Sequence, residues 1–393
     1  MTTISNPNQR ISSIDLVKGL AMLIMALDHV RDYVHAPAFL FDPADPEQTT
    51  LAIFFTRWVT HFCAPSFSFL AGLSAFMIGK RKPKNELSGF LLKRGLWLVF
   101  IELTVINFGW LFDLSFGIIL LQVIWSLGIS MIVLAGLVYL PRKVILIFSL
   151  ILIFGHNLLD PISLDNSIAW ALFHKLNIFM LSDNLMFVVG YPIIPWIAVM
   201  SLGFCFGDFY DKSVDSSKRR QTFNIIGMGA VILFVVLRWT NVYGDPVLFQ
   251  QYDRPSQDLV SFLNPTKYPP SLLFLLMTLG GTLLLLANSE KWKGKLVDFI
   301  CTFGRVPFFF YIIHIYIIHL IAIGLATMTG FVWEKNMVLA AWGAIENPIP
   351  GYGFPLWVVY VVWISVILVL FPLCKKFDSY KQGNKDKWWL SYF

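Results

Sequence analysis

Residues 354–374 read FPLWVVYVVWISVILVLFPLC, and Lys375 and Lys376 follow at once. About 20 mostly apolar residues are what a helix needs to cross the hydrocarbon of a bilayer. This run has no charged side chain, so it offers water no polar face of the kind a soluble helix keeps. The two lysines then give it a direction, because basic residues beside a span stay on the cytoplasmic side. One stretch therefore sets both the class of the protein and a way to orient it.

Working back along the chain, nine further runs of this kind fall at 13–36, 54–79, 89–109, 116–140, 143–159, 190–209, 222–240, 269–288 and 303–327. The composition fits: of 393 residues, 57% are hydrophobic and 14% charged, against roughly 25% charged in a soluble domain. The mean hydropathy is +0.68. Such a deficit of charge means that much of the surface faces lipid rather than water. The expectation is an all-α, polytopic helix bundle of about ten transmembrane helices, one domain over residues 1–393. Segment 166–189 (NSIAWALFHKLNIFMLSDNLMFVV) is apolar but interrupted by His174, Lys175 and Asp183. It reads as an interfacial helix or part of an eleventh span.

Loop charge alternates with these runs. Arg10 with Lys18, Lys80–Lys84 with Lys93 and Arg94, Arg142 with Lys143, Lys212 with Lys218–Arg220, Lys291–Lys295, and the lysines of 375–387 all fall on one side. The other side has no strongly basic loop. Both termini are therefore expected in the cytoplasm. This placement also accounts for most of the net charge of +6 without any nucleic acid partner. Residues 1–10 (MTTISNPNQR) lack the layout of a cleavable signal peptide. The four cysteines are far apart, and no HxxxH or HExxH spacing supports a metal site. Outer loops 241–268 and 328–353 are long, aromatic and rich in Pro and Gly, the kind of loop that covers a site or re-enters the membrane.

Charges within a span cost about 2.5–3.5 kcal/mol each on insertion scales, so they normally face a cavity or a partner. Helix 1 ends LDHVRDYVH, with Asp28, Asp32 and His35 on one face and His29 beside them. Helix 2 enters from the same side with Arg57 and His61 one turn apart, above Pro65. His156 closes helix 5 there, and His314 and His319 lie along helix 9. Six of the seven histidines are thus expected in the middle and outer bundle. One such histidine is ordinarily a helix–helix contact; six with Asp28 and Arg57 exceed what packing requires. A carboxylate that fixes an imidazole tautomer is the equipment of general base chemistry, and it equally suits a proton relay. At the inner ends, Lys18, Lys93, Arg94 and Arg305 are ordinary membrane anchors taken singly. Together they suit the phosphates of an anionic nucleotide. Glu102 and Gln122 inside helices 3 and 4 read as structural partners.

The blocks ISSIDLVKGLAMLIMALDHVRDYVH (11–35) and RWVTHFCAPSFSFLAGLSAF (57–76) resemble the opening of bacterial relatives of heparan-alpha-glucosaminide N-acetyltransferase. LLKRGLWLVFIELTVINFGW, LQVIWSLGISM, GHNLLD, YPIIPWIAVMSLGF, KYPPSLLFLLMTLG and GRVPFFFYIIHIYIIHL extend the resemblance in order along the chain. It implies a membrane acyltransferase in the bacterial inner membrane. Such an enzyme passes an acyl group, expected to be acetyl, from cytosolic acyl-CoA to an amine or hydroxyl of a carbohydrate-type acceptor. A histidine near the outer ends of the first two helices would be the catalyst. Here that role is divided among His29, His35 and His61, with Asp28 as orienter. Arg57, Asp32, Lys18, Arg94, Arg305, His314 and His319 are the candidate binding residues. The partners implied are the lipid bilayer, acetyl-CoA or another acyl-CoA, and the acceptor; a homodimeric state stays open. The rival reading is a proton-coupled transporter that uses the same His/Asp cluster as a relay, although obvious inverted repeats are missing from the sequence.

Overall fold

A computed structural model describes residues 12–392 except 212, 335, 336 and 348. Arg10 and Lys212, counted above among the inner basic residues, and the polar opening 1–10 lie outside the described residues. Eleven principal helices carry the fold. They are α1 (Ser12–Val34), α2 (Leu51–Gly79), α3 (Lys84–Ile101), α4 (Val123–Leu137) and α5 (Arg142–Leu159). These are followed by α6 (Ile193–Tyr210), α7 (Ser216–Thr240), α8 (Leu272–Ser289), α9 (Lys295–Arg305), α10 (Pro307–Met328) and α11 (Leu356–Gly383). Among the described residues, α2, α5, α6, α7, α8, α10 and α11 are the seven long and apolar enough to cross a membrane. Of the other expected spans, α1 and α3 hold several charges, and α4 is short.

Two expectations are corrected. Run 116–140 opens as strand β1 (Ile118–Leu121) before α4 begins. Segment 166–189 is not one continuous helix and supplies no eleventh helical span. It forms a short helix, Ile168–Phe173, and a hairpin of β2 (Asn177–Ser182) and β3 (Leu185–Val189). β3 lies between the other two, antiparallel to β2 and parallel to β1. The bundle is mostly helical rather than all-α. NIFMLS and LMFVV are rich in aromatic and β-branched residues and flank the turn pair Asp183–Asn184, which is hairpin chemistry. Apolar content alone does not separate such a hairpin from a broken helix.

Paired loops sort the bundle into two ends. Lys80 pairs with Asp211 and Arg142 with Asp208. Arg219 meets Glu290 at 2.6 Å, and Arg305 meets Asp378 at 2.6 Å. All these residues belong to segments that the charge alternation put on one side; we call this the basic end. At the opposite end, Ala36 N donates to Phe354 O at 3.1 Å, Trp342 Nε1 to Asp32 Oδ2 at 3.0 Å, and Leu272 N to Asn157 Oδ1 at 2.8 Å. Asp211 lies half-buried just beyond α6, and its hydrogen bond from Lys80 lowers the pKa of its carboxyl to about 2.

Helix α1 is the hub, packing against α2, α9, α10 and α11. Its crossing with α9 needs glycine: a Cβ on Gly19 would overlap the Ile300 carbonyl, and one on Gly304 the Asp15 carbonyl. Small residues let helix backbones approach where lipid supplies no hydrophobic drive. Gly72 and Gly203 do the same between α2 and α6. In α2, Pro65 removes the N–H that would bond the His61 carbonyl. The helix tightens into a 3₁₀ turn over Val59–Phe62, and His61 sits in that turn.

Candidate active site

A single cavity of about 1490 Å³ reaches residues of both ends. Ordinary ligand pockets span about 300–1,000 Å³, so this one has room for two reactants. At the basic end Lys18, Arg81, Arg94, Arg305, Lys381 and Lys385 line it, with Asp15. Lys18 Nζ donates to Ser74 Oγ at 2.8 Å, across α1 and α2. At the opposite end the lining comes from Phe39–Ala44, Lys267, Tyr268 and Trp342–Asn347. Loops 241–268 and 328–353 therefore contribute to the cover of this end.

Between the ends, His29 lines the cavity and its Nδ1 lies 2.8 Å from His314 Nε2. The other nitrogen of His314, Nδ1, lies 3.0 Å from the Phe310 carbonyl oxygen. A carbonyl only accepts, so His314 Nδ1 carries the proton and Nε2 of the neutral ring is a lone pair. His29 Nδ1 must then be the donor across the pair. The second nitrogen of His29, Nε2, is left as the unprotonated base. The stacked rings, 4.9 Å apart, and Trp110, edge-on to His29 at 4.7 Å, hold the imidazole in place.

The carboxylate of Asp28, expected to orient an imidazole, turns to cations instead of to His29. Its Oδ2 accepts from Arg57 Nη1 at 2.5 Å and lies 3.9 Å from Lys267 Nζ; its Oδ1 accepts from Arg31 Nη2 at 3.2 Å. Arg31 Nη2 also donates to Asp32 Oδ1 at 2.5 Å, while Trp342 holds Asp32 Oδ2. Consecutive helical residues point about 100° apart, so the neighbour of His29 in sequence turns to a different set of partners. The result is a cross-linked ion cluster between α1, α2 and the segment before α8.

The six histidines expected to converge do not share one site. His61 lines the cavity beside this cluster, and its Nδ1 is buried without a partner among the described residues. His35 is 1% exposed, sits at the end of α1 in a bridge to Phe354, and is not on the cavity wall. His319 also lies off the wall, with Nδ1 against the Gly109 carbonyl at 3.0 Å and its ring stacked on Phe112. His156 belongs with His174: their rings are 6.0 Å apart, and His174 Nε2 meets Asp160 Oδ1 at 2.9 Å. This second group ties the segment before the hairpin to Pro270 and lies away from the cavity. Among the described residues, no group of three or more His, Cys, Asp or Glu side chains is placed to hold a metal ion.

Lys267, Trp110, Tyr311, Trp342, Lys381 and Lys385 line the cavity, and sequence reading had not marked any of them as site residues. Lys267 left a trace: it is the one basic residue between Arg254 and Lys291, in KYPP just before α8. The aromatic residues left none, since membrane proteins carry many at their interfaces. Gln122 also lines the cavity, and its backbone N–H donates to Glu102 Oε1 at 2.9 Å. Glu102 opens a π-helical turn, Glu102–Ile106, an irregularity common near functional sites.

A family model described as heparan-alpha-glucosaminide N-acetyltransferase, catalytic, matches residues 10–238. That is more than half of the chain, and it contains Lys18, Asp28, His29, Arg57, His61 and Arg94. The chain belongs to that family. No curated protein matches it. Membership of the family, with the seven apolar helices, makes this a multi-pass membrane protein of an acyltransferase type. The matched region stops short of Lys267, Arg305 and Trp342, which line the cavity, and of His314, which pairs with His29.

Proposed function

We propose that the protein transfers an acyl group, in the first instance acetyl, from acyl-CoA at the basic end to an amine or hydroxyl of a carbohydrate-type acceptor entering from the opposite end. The basic end and both termini face the cytoplasm, the membrane is the bacterial inner membrane, and residues 1–393 act as one domain. The observation that carries this reading is the single cavity, cationic at one end, with the base of the His29–His314 pair on its wall.

In this reading Lys18, Arg94 and Arg305 bind the phosphates of the donor, so that the thioester lies toward His29. The acceptor N–H or O–H gives its proton to His29 Nε2 as its heteroatom attacks the thioester carbonyl. The C–S bond breaks, the acyl group stays on the acceptor, and the thiolate of CoA takes the proton back from the imidazolium. In an acyl-histidine route the same nitrogen attacks first and hands the acyl group on in a second step. Asp28, Arg57 and Lys267 hold the acceptor side of the chamber, with His61 and Asp32 against them. His35 and His319, off the cavity wall, serve packing.

Release of CoA from acetyl-CoA, with a panel of hexosamines as acceptors, tests the assignment. His29→Ala is expected to lower turnover at least about 100-fold, and His35→Ala to leave it near wild type. Near wild-type turnover in the His29, His35 and His61 variants alike would overturn the site. The transporter reading predicts instead proton flux in proteoliposomes without any acyl-CoA, lost in the same His29 variant.

A further inference from the structure

The six cationic residues at the basic end do not all come from the bundle proper. Lys381 lies in the last turn of α11, and Lys385 follows it beyond Gly383. Sequence alone reads both as ordinary membrane anchors. In the structure they line the same cavity as Lys18, Arg81, Arg94 and Arg305.

The chain around them is folded rather than trailing. Arg305 Nε on α9 meets Asp378 Oδ2, and Gln382 Nε2 caps Asp378 Oδ1 at 2.9 Å, which fixes the end of α11 beside the cavity. After Gly383, Asn384 Nδ2 bonds back to the Tyr380 carbonyl at 2.8 Å, and Lys387 Nζ to the Tyr380 hydroxyl at 2.6 Å. The turn Trp388–Tyr392 then returns to the bundle: Leu390 is buried, and the Tyr392 ring packs on Trp97 of α3 at 5.2 Å. The tail thus bridges α11 and α3 across the basic end. A segment that served only to anchor the protein to headgroups would have no need to bury Leu390 or to turn its lysines toward an internal cavity.

We infer that this tail forms one wall of the binding site for a nucleotide polyanion, with Lys381 and Lys385 gripping the phosphates of the donor. The inference rests on the acyl-CoA reading above and names the part of the chain that completes its donor site. Phosphate carries charge that compact ammonium groups meet as point partners. Phe90 and Phe308 also line the cavity. The ordering of the tail would then strengthen when the anion binds.

The probes are CoA and dephospho-CoA, which differ by one phosphate monoester, bound to detergent-purified protein and read by calorimetry. In the wild type CoA is expected to bind at least tenfold tighter than dephospho-CoA. In Lys381→Ala/Lys385→Ala that preference should collapse, with kcat for acetyl transfer kept and KM for acetyl-CoA raised at least tenfold. Lys381→Arg/Lys385→Arg should restore it, and an unchanged elution profile and Tm will exclude misfolding. Unchanged CoA affinity in the alanine variant would overturn the inference and leave the acyltransferase reading standing. No CoA binding by the wild type would overturn both. If the variant instead loses only its stabilisation by phosphatidylglycerol in nanodiscs, the lysines are lipid anchors and the inference fails.

Discussion

Asp28 and His29 are adjacent in sequence and face different partners. Asp28 is held by Arg57 and Arg31 with Lys267 nearby, whereas His29 donates to His314. In His314→Ala the His29 ring loses the acceptor that fixes its tautomer. Turnover is expected to fall about tenfold or more with little change in KM for acetyl-CoA, and His314→Gln to recover part of it through its side-chain carbonyl. Steady-state kinetics of the three proteins check this. In the proposed mechanism the neutral imidazole is the active form of the base, so kcat/KM should rise with pH along an acidic limb. The residual activity of His29→Ala should lack that limb, which a pH profile will read. Breaking the ion cluster has a different cost. Arg57→Met leaves a buried carboxylate short of its closest cation and should destabilise the protein by about 3 kcal/mol. Arg57→Met/Asp28→Asn should recover much of that loss, measured as Tm in one detergent.

Elements matter here where they depart from regularity. Pro65 tightens α2 at His61, and Glu102 opens the π turn that follows α3; both irregularities lie beside residues of the cavity wall. The cover at the end opposite the basic end depends on one side chain of α7. Arg238 is 1% exposed and donates to the carbonyls of Val247, Ser261, Phe262 and Asn264. Val247 and Asn264 line the cavity, so this guanidinium fixes the loop that delivers Lys267. A lysine at 238 keeps the charge but not the planar fork of donors. Arg238→Lys is expected to speed tryptic cleavage at exposed Arg254 several-fold and to raise KM for the acceptor more than that for acetyl-CoA. Limited proteolysis and kinetics check both. At the α2–α6 crossing, Gly203→Leu has no space against the Phe69 carbonyl and should abolish monodisperse protein on size exclusion.

For the molecule as a whole, a ligand that binds only the folded state stabilises it by about 2.7 kcal/mol at 100 times its Kd. Acetyl-CoA should therefore raise Tm in detergent by several degrees, and Arg305→Ala should cut that rise. Membrane-impermeant thiol reagents on single cysteines placed at Lys82 and Asp253 should label from opposite faces of oriented vesicles. Labelling of both from one face would overturn the alternation of loop charge on which the topology rests. Much of the fold was open to a reader of the chain, because the bilayer demands long apolar runs and loop charge marks their ends. The β-hairpin at 177–189 was not, since its apolar residues fit a broken helix as well. Of the residues that line the cavity, Asp28, His29, Arg57 and His61 were legible as polar groups where lipid penalises them, and Lys18, Arg94 and Arg305 as basic residues at the inner ends of helices.

The sequence by itself determined that this is a membrane bundle of the acyltransferase family, with basic loops on one side and polar groups within the helices. Those properties are local: they follow from hydropathy, charge and motif, each read within one helix length. Only the tertiary structure decided that His29 and His61 lie on the cavity wall while His35 and His319 do not, and that the His29 ring is hydrogen-bonded to His314 rather than to Asp28. It also brought Lys267, Trp342 and the lysines of the tail to the same chamber. Those pairings join residues up to hundreds of positions apart, and nothing in a run of residues records which helix will lie beside which.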